Sequence, residues 1–404
     1  MKRLEHARIL MYSHDTFGLG HLRRCRAVAH ALVERFKGLH VLIISGSPIA
    51  GAFDFRARVD FVKIPSVIKL YNGEYTSIDR HIDIQKTLQM RQAIIRHTAQ
   101  TFDPDLFIVD KEPLGLRGEL EDTLYFLKAR RCTLVLGLRD VMDSPELLQK
   151  EWRPRDMLRR IECFYDEIWV YGTPDFWDPL CGFEVSRSLR ARMIFTGYLE
   201  RTLPGSPSHG PAWLPSDYIL VTAGGGGDGA ALMDQVLSAY EFDPALPHPV
   251  VLVLGPFMPI EQRDRIRARA ETLGKVAVIE FDNRMEALTA GARAVVGMGG
   301  YNTFCEVLSF DKPTLIVPRT QPREEQLIRA RRAAELGVID MLDSGAADEP
   351  PAMAQALRAL PGRTRPSEAG YRILLNGLET IGGRVDRLLA ARSWPQLRVL
   401  EGRA

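Results

Sequence analysis

"VVGMGGYNTFCEVLSFDKPTLIVP", residues 295–318, is the stretch whose reading decides the fold. An apolar run stops at Gly299-Gly300, a segment of helical character with one carboxylate follows, and a second apolar run starts after Lys312-Pro313. Strand, helix and strand in such short order make one parallel crossover unit. Glycines ahead of a helix let the backbone approach a ligand and leave the first N–H groups free, the arrangement that receives a phosphate. Glu306, about one turn further in, is too deep for a phosphate but placed to accept hydrogen bonds from ribose hydroxyls. Thr303 shares its helix face. The plainer alternatives are a solvated helix acid at Glu306 and a helix cap at Asn302.

Outward from this unit the same alternation fills the chain. Strands are expected at "ARILMYS", "HVLIIS", "VDFVKI", "DLFIVD", "CTLVLGL", "EIWVYG" and "RMIFTG", then at "YILVTA", "VVLVLG", "KVAVIEF", "ARAVVGM" and "PTLIVP". Helical patterns lie between them, so the fold class is α/β with two doubly wound, Rossmann-like parallel-sheet domains facing a cleft. The proline-rich "ERTLPGSPSHGPAWLPSD" divides them. We assign 1–200 to an N-terminal, acceptor-side domain, 201–216 to a linker and 217–370 to a C-terminal nucleotide-sugar domain. Residues 371–404 read as C-terminal helices packing back on the first domain.

The 404 residues, 46% of them hydrophobic, suffice for two cores. A net charge of +2 argues against a nucleic-acid surface. Five scattered cysteines, none at metal-ligand spacing, and an N-terminus with too short an apolar run for a signal peptide suggest a cytoplasmic protein. The longest apolar run, near 250–260, is interrupted by Gly255-Pro256 and falls short of a membrane span. "KTLQMRQAIIRHTAQTF" and "KEWRPRDMLRRIECF" mix apolar and cationic residues, leaving open a peripheral contact with the inner face of a membrane, or merely a solvated face.

Three further loops carry chemistry. In "SHDTFGLGHLRRCRAVAHAL" a strand meets Gly18-Leu19-Gly20-His21 and then a helix. Leu22, Cys25, Val28, Ala29, Leu32 and Phe36 should face the core, with Arg23, Arg24 and Arg26 largely off that stripe. His21, in the first turn, should stay neutral and serve as a base. In "ILVTAGGGGDGAALMDQVL", Gly225, Gly226 and Gly227 fit a diphosphate contact, while Asp228 must point away or cap the helix. In "VPRTQPREEQLIRARRAAELG", Glu325 and Gln326 open a helix, and Gln326 can donate to and accept from sugar hydroxyls.

"TGYLER", "GGGDGA", "EFDNRMEAL", the stretch from Gly299 to Pro318 and "EEQLIRA" resemble, in order and spacing, the C-terminal half of family 28 glycosyltransferases. These enzymes have the GT-B fold and include the peptidoglycan N-acetylglucosaminyl transferase. "GLGH" is similar to their N-terminal glycine loop. The resemblance implies donor diphosphate and nucleotide contacts at Gly18, Gly20, Gly225, Gly226, Gly227, Gly299, Gly300, Asn302 and Thr303. It places Glu306 on the ribose, Phe281 and Met285 beside the base, and Glu325 and Gln326 on the donor sugar. Two departures stand out: Gly227-Asp228 where the family has Ser-Gln, and Arg329 where it has Asn. Retaining GT-B enzymes often carry a second glutamate eight positions before Glu306, and Met298 stands there. The expectation is therefore an inverting bacterial hexosyltransferase acting in polysaccharide or cell-envelope synthesis. It would move a sugar from a UDP-type donor to a glycan or lipid-linked acceptor, with His21 or Asp110 as base, no cofactor and no required metal. "GLGHLRRCRAVAHAL" and "DLFIVDKEP" also resemble the nucleotide-sugar hydrolase of the pseudaminic acid pathway, in which water replaces the acceptor. A non-catalytic nucleotide-sugar-binding protein is the third alternative.

Overall fold

A computed structural model describes residues 2–3, 6–14, 19–69, 75–77, 82–203, 214–225 and 227–400. The first sheet comprises β1 (Arg8–Ser13), β2 (His40–Ser45), β3 (Val59–Lys63), β4 (Leu106–Asp110), β5 (Thr133–Arg139), β6 (Glu167–Tyr171) and β7 (Met193–Phe195). Its order is β3-β2-β1-β4-β5-β6-β7, and all the pairings are parallel. The second comprises β8 (Ile219–Thr222), β9 (Val250–Val253), β10 (Val276–Ile279), β11 (Ala294–Gly297), β12 (Thr314–Ile316) and β13 (Asp340–Met341). It is likewise parallel, in the order β10-β9-β8-β11-β12-β13. Strands such as Leu106–Asp110 and Val250–Val253 are buried throughout, as expected of a parallel sheet covered by helices on both faces.

All twelve expected strands form. The edge strand β13 was not foreseen, nor were the short pairs Lys2–Arg3 with Phe36–Lys37 and Val67–Lys69 with Tyr75–Ser77. Pieces of two or three residues are too short to show a period. Most of the linker assigned to 201–216 lies outside the described residues.

Both strand orders reverse beside their first strand, so each sheet has a switch point at its carboxyl edge: β1 with β4, and β8 with β11. An aromatic cluster joins the two domains below these edges. Phe176 and Phe304 ring centroids are 5.7 Å apart, and Tyr198 stacks on Tyr301 at 6.1 Å. The last helix, Gly377–Leu400, packs on the first domain. Its Ile381 and Val385 join the core that holds Val28 and Leu32, and Arg384 Nε donates to Glu167 at 3.1 Å.

One surface expectation is corrected. In the helix Ile84–Phe102, Arg91 is fully buried and bound to both oxygens of Glu119 at 2.6 Å, so it is a core ion pair and no lipid contact. Among the described residues, no helix is long and apolar enough to cross a membrane.

Candidate functional site

The first domain builds half of the site from two neighbouring strand ends. Ser13 of β1 pairs in register with Asp110 of β4, so the two strands end side by side. Helix α1 (Gly20–Arg35) starts there, and His21 is its second residue. His21 Nδ1 lies 2.5 Å from Asp110 Oδ2. Arg24, one turn along, holds the same carboxylate through Nε (2.8 Å to Oδ1) and Nη2 (2.6 Å to Oδ2). The expectation that Arg24 lies off the buried stripe is thus wrong. It is 2% exposed, because a bidentate ion pair compensates the loss of water around its charge.

Burial would raise the Asp110 pKa, but Arg24 and His21 outweigh it and hold the carboxyl well below its usual range. A permanent carboxylate can only accept, so His21 donates through Nδ1 and its Nε2 keeps a lone pair. Burial pushes the His21 imidazole down to about 4, against the pull of Asp110. His14, edge-on at 5.6 Å, is pushed down to about 3, chiefly by burial. The dyad therefore stands with a neutral imidazole, 19% exposed, on an ionised support.

The second domain supplies glycine turns. Gly299 has φ +83°, and a Cβ there would approach Ile316 Cγ2 to 3.1 Å, so any other residue is strained at this position. Gly300 caps α2 (Tyr301–Ser309) in extended conformation, with no side-chain hydrogen bond capping the helix among the described residues. Asn302 is not the cap. It is the second helical residue, and its amide bridges the domains: Nδ2 donates to the Gly20 carbonyl at 3.1 Å and Oδ1 accepts from Arg201 at 2.8 Å. Thr303 is buried, its methyl against Gly297.

Glu306 is no solvated acid, being only 1% exposed. Arg23 of α1 reaches across to its Oε1 and also lies 3.2 Å from Glu286, while Oε2 is buried without a donor among the described residues. Burial pushes the Glu306 carboxyl above its usual range; Arg23 opposes this and Glu286 adds to it.

At the end of β8, Gly224 takes φ +65° in open space, and the Gly225 carbonyl accepts from Phe257 N at 3.0 Å. Gly227 is half-buried, while Gly226 and Gly18 lie outside the described residues. Asp228 pairs with Arg319, and Gly229 takes the cap position, so its carboxylate is neutralised away from the turn. Phe281 meets Phe53 of the first domain edge-on at 6.1 Å, and Met285 is buried at the start of its helix. Helix α3 (Glu325–Glu335) opens with the expected pair. Glu325 Oε1 accepts from Arg319 at 2.9 Å, and Gln326 Oε1 from the Arg319 N–H at 3.4 Å.

Arg329, one of the departures, is fully buried. It grips Asp140 of the first domain at 2.8 and 2.6 Å and donates to the Gly299 carbonyl at 2.8 Å. Sequence reasoning missed this pair, along with Arg23, Lys111, Arg139 and Glu286. Lys111 carries a left-handed φ of +71° directly after Asp110, which no local pattern announces. Among the described residues, no three His, Cys, Asp or Glu side chains converge as metal ligands.

Two facing Rossmann-like sheets, each with its switch point opening on a common crevice, define the GT-B class of fold. Within it, residues 218–359 match the glycosyltransferase family 28 C-terminal domain. An uncharacterized glycosyltransferase of Methanosarcina mazei is 24% identical over 322 residues, covering 76% of this chain and 80% of that one. The structure resembles the glycotransferase of kitacinnamycin (TM-score 0.59, 17% identity, 96% of both chains). It also resembles Acinetobacter baumannii MurG (TM-score 0.56, 13% identity, 94% of this chain and 99% of that). The second domain is thus similar to the glycosyltransferase family 28 C-terminal domain, and the chain is an enzyme of the glycosyltransferase class.

Proposed function

We propose that the enzyme is an inverting transferase. It moves a sugar from a nucleoside diphosphate donor, UDP first among candidates, to a hydroxyl of a glycan or lipid-linked acceptor without a required metal. One observation carries this reading: the His21–Asp110 pair at the start of α1 and the glycine-led start of α2 lie side by side across the domain boundary, with Asn302 Nδ2 of α2 donating to the Gly20 carbonyl at 3.1 Å. His21 Nε2 takes the acceptor proton as the acceptor oxygen attacks the anomeric carbon. The bond from that carbon to the diphosphate oxygen breaks, and the free N–H groups at the start of α2 stabilise the departing charge. Asp110, locked by Arg24, holds the ring and its tautomer and stabilises the imidazolium, so His21 is the base and Asp110 its support.

The test is incubation with UDP-, GDP- and dTDP-sugars, with and without candidate glycan and lipid-linked acceptors, in the presence and absence of EDTA. Acceptor-dependent transfer that survives EDTA supports the proposal. Free sugar formed at the same rate without acceptor makes the enzyme a hydrolase. Tight binding with neither product removes catalysis from the site.

A further inference from the structure

The departure at position 329 acts on the turn that leads α2. Arg329 lies one turn into α3, is 1% exposed, and engages all three of its guanidinium nitrogens. Nε and Nη2 donate to the two oxygens of Asp140, an equally buried residue of the first domain, at 2.8 and 2.6 Å. Nη1 donates to the Gly299 carbonyl at 2.8 Å. Burial would lower the Arg329 pKa, but Asp140 outweighs it and holds it above the usual range, so the group stays charged. The carboxylate is fixed in turn, because the Tyr198 hydroxyl donates to its Oδ2 at 3.0 Å.

Holding the Gly299 carbonyl decides where the next N–H points. The Gly299–Gly300 peptide is trans, and in a planar trans peptide C=O and N–H point in opposite directions. With the carbonyl drawn onto Arg329, the Gly300 N–H is turned away from it. That N–H has no backbone acceptor among the described residues, and the Gly300 carbonyl already accepts the first bond of α2, from Phe304 N–H at 2.9 Å. It therefore joins the N–H groups of Tyr301, Asn302 and Thr303, which a helix start leaves free for an anion. The Arg329 guanidinium also lies 5.8 Å from the ring centroid of Tyr301, the first residue of α2. Arg24, which locks Asp110, lies 5.4 Å from the same ring, so the support of the base and the glycine turn pack on one aromatic side chain.

We propose that Arg329 is a positioning residue: anchored on Asp140 of the first domain, it sets the Gly299–Gly300 peptide so that the start of α2 receives the donor's diphosphate. Diphosphate recognition is thereby tied to the contact between the domains. This rests on the donor reading above. It deepens that reading by making the diphosphate, and not the nucleoside, depend on a residue at which this chain departs from the family 28 pattern.

Calorimetry on the full chain decides it, with UDP and, in competition with it, uridine as probes, because a variant that merely loosens the fold weakens both alike. The wild type should bind UDP tighter than uridine. Arg329→Lys keeps a cation beside Asp140 but lacks the fork that also holds the Gly299 carbonyl. It should cut the advantage of UDP over uridine roughly tenfold and leave uridine itself within about twofold. Asp140→Asn leaves the guanidinium in place but loosely held, and should cut the advantage about threefold. That variant decides the matter if Arg329→Lys fails to fold. An unchanged ratio in either folded variant would overturn the inference, as would UDP and uridine weakening in step, or a wild type that binds uridine as tightly as UDP. If UDP does not bind, the dTDP–thymidine and GDP–guanosine pairs replace it. Failure of all three nucleotides sinks the donor reading and this inference with it, whereas nucleotide binding with an unchanged ratio sinks only this one.

Discussion

His21 shows how much a single side chain owes to its support. Its first-turn position puts the ring at the crevice, but Asp110 and Arg24 determine which nitrogen carries the proton. His21→Ala should lower turnover by roughly 10²–10⁴, the usual contribution of a positioned base, while leaving UDP affinity within about threefold. Single-turnover kinetics beside calorimetry will check this, and near-normal turnover in a folded variant would remove His21 from the chemistry. The pH dependence has a definite sign. Because the folded pKa is lowered to about 4 from 6.5, the base stays neutral as pH falls, and the acidic limb of kcat/KM should appear near pH 4. The same shift costs stability on acidification, since the unfolded chain takes up the proton first. The contribution is complete above 6.5 and is lost progressively down to about 4, on the order of 3 kcal/mol for this group. Urea titrations at pH 7 and pH 4.5 should show the loss.

Helix α2 and its glycines separate backbone strain from ligand access. Gly299 has φ +83° with Ile316 close by, whereas Gly300 has φ −61° and open space where a Cβ would project. Gly299→Ala should therefore destabilise the fold by about 1–3 kcal/mol. Gly300→Ala should leave stability nearly unchanged yet weaken nucleotide binding, because its methyl would stand at the helix start where the diphosphate is proposed to sit. Denaturant titration and UDP calorimetry on both variants distinguish the two effects. Equal stability loss in both would contradict the conformational argument. The same helix carries Glu306, where Glu306→Ala should weaken UDP by about 1–3 kcal/mol through lost hydrogen bonds to the ribose. Unchanged affinity would leave Glu306 as the partner of Arg23 only.

At the scale of the whole molecule, the domains are joined by long-range ion pairs as well as by the aromatic cluster. Arg329 and Asp140 are both essentially inaccessible to solvent, and Arg329 also holds the carbonyl of Gly299, so the domain contact and the glycine turn are parts of one network. Arg329→Met would strand a buried carboxylate and should cost about 3–5 kcal/mol, read as a drop in melting temperature. Adding Asp140→Asn should restore part of the loss. A single variant as stable as the wild type would show that the domains do not depend on this pair.

The amino-acid sequence by itself determined the two parallel sheets, the glycine turns and the crevice between them. Those features follow from local patterns: apolar runs of strand length, helical spacing in residues such as Leu22, Cys25 and Val28, and glycines where a strand meets a helix. Only the tertiary structure decided which charges meet. Arg24 and Asp110 are 86 positions apart, Arg329 and Asp140 are 189, and Arg23 and Glu306 are 283. An arginine in a helix reads as a surface residue until a carboxylate from another strand or another domain is folded against it. Burial then makes the pairing obligatory, because an unpaired charge out of water is far less stable than a bidentate pair. The same physics turned Glu306 from a solvated acid into a buried one, and left Arg139 Nε and Glu325 Oε2 each buried without a partner among the described residues.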